Sequence, residues 1–415
     1  MLFLRLLKES VNFALQSLRV NKLRTLLSLS GITIGIFAMI SVFTVVDSLE
    51  RQIRESVSEL GDDIIYIQKW PWEFSQNYAW WKYLKRPVPD MDEYKAIKER
   101  ARYIKSCTFM ASTSQTISRK NISMSNTGVL VATYDYKDNR AFDIKKGRYF
   151  TASEAQQGRN LAVIGYSVAK ELFPYSTPIG REIKIAGNRV NVIGVFEKEG
   201  ENMMVSTSHD NLVLLMANYG RRLFDIDSES LNPMILVTAS ENADIEQVND
   251  ELEIIMRSER RLSPMEEPDF ALNRASMISQ GIDKIFATLD IAAIIIGGFA
   301  ILVGGFGIAN IMFVSVKERT RIIGIQKAIG AKSGFILTQF LCEAVVLSLI
   351  GGIFGLVLIW IGTIIGTQII DFKLVLGINN ILMGLMISGG IGVVSGFLPA
   401  RQAANLDPVI AMGKV

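Results

Sequence analysis

Five cations lie close together in residues 316–334, VKERTRIIGIQKAIGAKSG, and interrupt an otherwise almost uncharged stretch of the chain. They are Lys317, Arg319, Arg321, Lys327 and Lys332. Glycine, lysine and serine also occur together in phosphate-binding loops. GIQKAIGAKSG, however, lacks the G-x-x-x-x-G-K-[ST] spacing and follows no predicted strand. We therefore predict that this chain does not hydrolyse ATP by itself.

Other residue types that catalyse reactions or bind metals are few and scattered. His209 is the only histidine, and neither Cys107 nor Cys342 has metal-ligand spacing. We expect the two cysteines not to pair, because only Cys342 lies in a long apolar run. No G-x-S-x-G motif occurs, and the carboxylates are spread over predicted solvated helix faces. The sequence predicts no catalytic residue, no metal site and no cofactor in this chain, so we do not expect an enzyme.

Long apolar runs flank the cations. Of the 415 residues, 49% are hydrophobic, and the runs 25–46, 291–316, 344–370 and 374–400 contain no charged residue. About 20 apolar residues suffice for a helix to cross a bilayer. We predict transmembrane helices over residues 25–47, 285–316, 334–370 and 374–400. The net charge of +3, with no basic stretch interleaved with aromatic residues, argues against binding to nucleic acid.

The distribution of Lys and Arg predicts the orientation in the membrane. Residues 1–24 and 317–333 each carry five Lys or Arg and one acidic residue. Because basic loops stay on the cytoplasmic side, both segments and the tail 401–415 are predicted to be cytoplasmic, with an amphipathic helix over 1–24. Residues 48–284 then form a large domain on the outer side of a membrane that the chain crosses several times.

This outside domain is predicted to have an α+β fold in two parts. One part comprises residues 48–120 and 216–284, and the inserted part comprises 121–215. In the first part we predict two strand–helix–strand units: a strand in DDIIYIQKW, a helix over 92–100 and a strand over 104–118; then a strand over 234–239, a helix over 244–261 and a strand over 269–274. In the inserted part we expect a hairpin turn at residues 186–188.

Four tryptophans occur close together near the start of this domain. They are Trp70, Trp72, Trp80 and Trp81. Tryptophan is favoured where one side is apolar and the other is wet, so a ligand surface, a membrane-interface belt and ordinary loop packing all remain open.

Small residues four positions apart recur in the predicted spans and favour close helix packing. The pairs are Gly31 and Gly35, Gly351 and Gly355, and Gly392 and Gly396. They serve either packing within one bundle or a dimer seam. Glu343, near the start of the third span, is costly in a membrane unless it faces protein, water or a cation. We interpret Glu343 as a structural anchor rather than a proton relay.

Ile322, Ile325 and Ile329 recur at helical spacing within the basic segment and predict a short surface helix. Two interpretations remain at this point. The helix either binds anionic headgroups and only fixes the topology, or it docks a cytoplasmic partner.

The long stretch NIMFVSVKERTRIIGIQKAIGAKSGFILTQFLCEAVVLSLIGG resembles the signature of the MacB/FtsX-like permeases of ABC transporters. SLRVNKLRTLLSLSGITIGIFAMI, GRYFTASE and GFLPARQAANLDPVIAM extend the resemblance. It implies a porter-like part in the outside domain and a coupling helix over 317–333. The residues that would meet the ATPase are Glu318, Arg319, Arg321, Gly324, Lys327, Ala328 and Gly330. Ile322, Ile323 and Gln326 depart from the family pattern.

The resemblance also implies partners. MacB carries a fused ATPase domain that this sequence lacks, so we expect separate cytoplasmic ATPase subunits, which bind ATP and Mg. A second permease copy or paralogue, membrane lipid, a periplasmic adaptor and an outer-membrane channel complete the expected set. The implied function is export of a periplasmic substrate by mechanotransmission. The alternatives are a lipoprotein-releasing permease and an FtsX-like regulator of cell-wall hydrolases, whose outside domain is usually much smaller.

Overall fold

The computed structural model describes residues 22–58, 60–73, 78–199, 208–369, 373–408 and 411, without side chains for 22–28. The helix predicted over 1–24 therefore lies almost wholly outside the described residues, as does part of the tail 401–415. The chain divides into two units. We call Ile53–Asp283 the large unit, and Met1–Gln52 with Lys284–Val415 the helical unit.

The helices are α1 (Lys22–Ser58), α2 (Trp80–Tyr83), α3 (Met91–Arg100), α4 (Tyr136–Asn139), α5 (Ala152–Gln157), α6 (Tyr166–Leu172), α7 (Ala217–Gly220), α8 (Ile245–Glu259), α9 (Ala275–Glu318), α10 (Thr320–Ala328), α11 (Ser333–Ile369) and α12 (Ile378–Ala404). The strands are β1 (Ile64–Gln68), β2 (Ile104–Arg119), β3 (Ile122–Ala132), β4 (Ile144–Gly147), β5 (Leu161–Ile164), β6 (Glu182–Ile185), β7 (Asn188–Phe196), β8 (Leu212–Met216), β9 (Met234–Ala239) and β10 (Ala271–Arg274). The large unit thus mixes strands and helices, as the sequence predicted.

The described strands form one sheet in the order β10-β1-β9-β2-β3-β8-β5-β7-β4, and β6 pairs with β2 and β7. Strands β1 and β2, which flank helix α3 in the chain, are separated by β9, which is antiparallel to both. Strands β9 and β10, which flank α8, are separated by β1 in the same way. Each predicted strand–helix–strand unit is therefore split, because a strand of the other strand–helix–strand unit lies between its two strands.

Strand β2 pairs with strands from both predicted parts of the large unit. Its residues Ile104–Met110 pair with β9, and its residues Met110–Arg119 pair with β3. Strand β3 then continues the sheet by parallel pairing with β8. The predicted hairpin turn joins β6 to β7, with Ala186 and Gly187 at φ 46° and 80°, as a tight hairpin requires.

The four tryptophans fall into two pairs. The main-chain N–H of Trp72 donates to Asn273 Oδ1 (2.9 Å), and Asn273 Nδ2 donates to the Trp70 carbonyl (2.8 Å), so the main chain of this loop is held on β10. The Trp72 ring packs 4.9 Å from the Tyr66 ring, and the Trp70 ring 6.4 Å from the Tyr83 ring. Trp80 and Trp81 are 53% and 61% exposed.

A charge pair within residues 121–215 stabilises the start of α5. Arg148 donates two hydrogen bonds to the Glu154 carboxylate, each 2.7 Å, and the Thr151 N–H donates to the same group (3.0 Å). These bonds from Arg148, joined by those from Thr151, lower the pKa of Glu154 from 4.5 to about 2.

Because the folded pKa of Glu154 is depressed, its contribution to stability is present above pH 4.5 and is lost as the pH falls towards 2. We expect Glu154→Gln to lower the melting temperature at neutral pH, and the difference from wild type to shrink through that window. Thermal unfolding of the purified full chain at a series of pH values measures this. Glu182→Gln, in an exposed pair with Arg189 (3.5 Å), is the control. A Glu154→Gln effect constant down to pH 2 would contradict the assignment.

The helical unit contains the four predicted apolar helices. Among the described residues, the helices long and apolar enough to cross a membrane are Leu29–Ser58, Ala275–Glu318, Ser333–Ile369 and Ile378–Ala404. The predicted spans 25–47 and 285–316 lie within helices that are longer, since α1 continues to Ser58 and α9 begins at Ala275. Both α1 and α9 therefore contain residues of the two units.

Glycines bring these helices into backbone contact within one chain. A side chain added at Gly35 would place its Cβ 2.7 Å from the Ala300 carbonyl oxygen, and one at Gly355 would lie 3.1 Å from that of Thr33. Gly351 faces Ile32, and Gly396 faces Ala344. These approaches join α1 to α9 and α11, and α11 to α12. Of the six predicted glycines, Gly31 differs, because nothing lies within 4 Å of the position that a Cβ would take there.

Candidate functional site

We call residues 317–333 the connecting segment, because they join α9 to α11 through the short helix α10. Helix α9 ends at Glu318, and the chain turns at Arg319 (φ −100°, ψ 10°). The Thr320 hydroxyl donates to two carbonyl oxygens in the last turn of α9 (3.0 and 2.9 Å), which satisfies acceptors that the helix leaves open. This closure explains why the surface helix starts at Thr320 and not at 317.

The other end of α10 is set by Gly330. The Gly330 N–H donates to the Lys327 carbonyl (3.0 Å), and the Ala331 N–H donates to the Gln326 carbonyl (3.0 Å). The φ of Gly330 is 104°. This is a Schellman motif, in which a left-handed glycine ends the helix. The predicted helix over 317–333 is therefore wrong in extent, since α10 has nine residues.

The inner face of α10 packs on the bundle through Ile323 and Gly324, both buried. Lys327 lies on the same face, and its Nζ donates to the carbonyl oxygens of Ala404 (2.6 Å) and Leu406 (2.8 Å). Ala404 is the last residue of α12, where unpaired carbonyls and the helix dipole favour a cation. The Lys327 side chain thus binds α10 to the end of α12.

Arg319 also points into the bundle. Its Nη1 lies 3.1 Å from Oε2 of Glu343 on α11, and the Glu343 side chain is 3% exposed. A carboxylate removed from water to this extent is stable only beside a cation. The anchor interpretation of Glu343 agrees with this geometry, and Arg319 is the cation.

The outer face of α10 is apolar and basic. Ile322, Ile325 and Ile329 are 56%, 44% and 83% exposed, and Arg321 and Ala328 are exposed beside them. We call these five residues the outer face. Large aliphatic side chains grouped on a polar surface mark sites of protein or membrane contact.

The structure divides the seven residues assigned to ATPase contact. Arg321 and Ala328 lie on the outer face, and Glu318 is exposed at the end of α9. Arg319, Gly324 and Lys327 face the other helices of the helical unit, and Gly330 ends α10. Contact of these four residues with an ATPase stays a prediction. Sequence reasoning left Ile322, Ile325 and Ile329 out of the contact set. Their i, i+3 and i+7 spacing was the available signal.

Outside the connecting segment, no group of His, Cys, Asp and Glu in the described ranges could hold a metal ion. His209 is buried, with Nε2 2.8 Å from the Tyr136 hydroxyl and Nδ1 2.7 Å from Glu199. Burial acts to raise the pKa of Glu199, but hydrogen bonds from the His209 ring and N–H outweigh it and hold that pKa below its usual value. This cluster packs the inserted part.

Comparison with protein families covers both units. The model of the MacB-like periplasmic core domain matches residues 25–255, and that of the FtsX-like permease C-terminal region matches residues 294–408. The chain belongs to the MacB/FtsX family of ABC transporter permeases. Residues 53–255 of its large unit fall within the periplasmic core match, and the connecting segment falls within the permease match.

Relatives of this permease are of two lengths. The macrolide export ATP-binding/permease protein MacB of Neisseria gonorrhoeae is 30% identical over 98% of this chain, which spans only 61% of that protein. The uncharacterized ABC transporter permease YknZ of Bacillus subtilis is 30% identical over 98% of this chain and 99% of its own length. The crystal structure of the periplasmic region of MacB from Actinobacillus actinomycetemcomitans covers 55% of this permease and 96% of that chain, with 17% identity and a TM-score of 0.44.

Proposed function

We propose that this permease is the membrane subunit of an ABC exporter and that a separate cytoplasmic ATPase docks on the outer face of α10. The observation that carries the proposal is the division of α10 into two faces. Its inner face is held by Lys327 and Ile323, while Ile325 and Arg321 remain available on the outside. A helix attached so firmly has no need of an exposed apolar face for its own folding.

The same segment supports the proposed orientation. Five Lys or Arg residues between 317 and 333 favour the cytoplasmic side of the inner membrane, and we propose that the large unit lies in the periplasm and both termini in the cytoplasm. The match to a periplasmic core domain supports this arrangement. Docking of a cytoplasmic protein on α10 requires it.

Transport is proposed to occur by mechanotransmission. ATP-driven closure of the ATPase dimer displaces α10 in each of two permease copies, and α1 and α9 contain residues of both units, which offers a route for that motion. The large unit, together with a periplasmic adaptor and an outer-membrane channel, would then move a periplasmic substrate. MacB relatives named for macrolide export support an exporter.

The test is a double variant, Arg321→Glu with Ile325→Asp, which inverts the charge and removes the apolar contact of the outer face. We expect the amount of ABC ATPase that co-purifies from native membranes to fall about tenfold or more below the amount found with the wild-type chain. Arg221→Glu with Ile254→Asp makes the same chemical changes at exposed positions of the large unit and is the matched control. Unchanged co-purification in the outer-face variant would refute the docking site.

A further inference from the structure

Two side chains of the connecting segment bind α10 to two different membrane helices. Resting on the proposed function, we infer that Arg319 and Lys327 are positioning residues that transmit the displacement of α10 to α11 and α12, and that neither contacts the ATPase. The family resemblance assigns both residues to the ATPase contact. Their hydrogen bonds point instead towards Glu343 of α11 and the end of α12.

The first attachment is the ion pair between Arg319 and Glu343. Glu343 lies within α11 and is almost fully buried, and its Oε1 has no hydrogen-bond partner among the described residues. Arg319 is thus the cation that compensates this carboxylate. In a site shielded from water an ion pair is strong, and separating it leaves a buried charge unpaired. The start of α10 cannot move away from α11 without that penalty.

The second attachment is the ammonium group of Lys327. It lies in the last turn of α10 and donates to two carbonyl oxygens, those of Ala404 and Leu406, at the end of α12. Hydrogen bonds with a charged donor are about twice as strong as neutral ones. The end of α10 is therefore tied to α12, as its start is tied to α11.

The two attachments lie at opposite ends of a nine-residue helix. A short helix attached at both ends moves only together with the helices to which it is attached. A push on the outer face therefore displaces α11 and α12 together with α10, and is not absorbed by the turns at Arg319 and Gly330. Both attachments face away from Arg321 and Ile325, so docking and transmission use different residues.

The experiment measures docking and attachment separately in the full-length chain in its native complex. Spin labels at Gln326→Cys on α10 and Leu398→Cys on α12 report their separation, and a second pair, Gln326→Cys and Ile353→Cys, reports on α11, all in a Cys342→Ala background. Gln326 is half-buried and does not belong to the outer face. Leu398 and Ile353 are exposed, at 65% and 52%. The variants are Lys327→Met and the double Arg319→Gln with Glu343→Gln, which removes both charges so that none is left buried alone. Lys327→Arg retains the donors and is the conservative control.

We expect narrow distance distributions in the wild type that stay unchanged when ATP is added. Lys327→Met should broaden the α10–α12 distribution and make it shift with ATP, and the double variant should do the same for α10–α11. Co-purified ATPase should remain within about twofold of wild type in both, against the about tenfold loss for the outer-face variant. Lys327→Arg should behave as wild type.

Two results would overturn the inference. One is a loss of ATPase binding in the Lys327→Met and double variants as large as in the outer-face variant, which would return these residues to the docking surface. The other is unchanged distance distributions in both variants. Failure of the proposed function is distinguishable, because the ATP-free distance distributions depend on the attachments alone. They would still broaden if the ATPase docked elsewhere.

Discussion

Gly392→Leu is expected to abolish the packing of α11 against α12 and to give almost no monodisperse protein in detergent. A Cβ at Gly392 would lie 2.7 Å from the Val345 Cα and 3.0 Å from the Ala344 carbonyl oxygen. These are backbone atoms, which cannot rotate away, so the helices must separate. Overpacking usually costs about 1–3 kcal/mol, and a clash with backbone lies at the upper end.

Gly390→Leu is the matched control on the same helix. Gly390 is exposed, and nothing lies within 4 Å of the position its Cβ would take. The substitution should leave yield and melting temperature unchanged or raise them slightly, because leucine favours a helix over glycine. Equal behaviour of the two variants in size-exclusion chromatography would show that α11 and α12 do not pack through Gly392.

Gly165→Ala is expected to destabilise the large unit strongly. Gly165 precedes α6, its N–H donates to the Leu212 carbonyl (2.8 Å), and a Cβ there would overlap the carbonyl oxygens of His209 and Asp210. The clash breaks the junction between β5 and β8, so we expect a loss of about 3 kcal/mol or more in the free energy of unfolding. Chemical denaturation of the purified full chain, followed by tryptophan fluorescence, measures it.

Gly377 provides a matched control. It also precedes a helix, its φ is likewise −67°, and nothing lies within 4 Å of the position that a Cβ would take. Gly377→Ala should shift the denaturation midpoint little. If Gly165→Ala were as stable as Gly377→Ala, the junction at His209 and Asp210 would have to be wider than the structure shows.

Local elements of this fold were predictable from the sequence. Asp90 and Glu93 form a capping box at the start of α3, and the apolar runs correspond to α1, α9, α11 and α12. The sheet order was not predictable, because β9 enters between β1 and β2 from more than 100 residues further along the chain. Hydrophobic patterning predicts that a strand is buried, but it carries no information about which strand pairs with it.

The candidate site shows the same limit. Periodicity predicted the helix in the connecting segment, and the cost of a charge in a membrane predicted that Glu343 faces protein, water or a cation. Which cations turn inward depended on acceptors far away in sequence, 24 residues for Arg319 and 77 for Lys327. A main-chain acceptor such as the Ala404 carbonyl is the same in every sequence, so no residue pattern indicates it.

Strand β2 has a mechanical consequence for the large unit. Its first half pairs with β9 and its second half with β3, so a single strand joins these two neighbours in the sheet. A flexible hinge would need a loop at the boundary, and here the boundary is a hydrogen-bonded ladder. We therefore expect the two ends of the sheet to move together under force, because separating them would break the hydrogen bonds that join β2 to β9 or to β3.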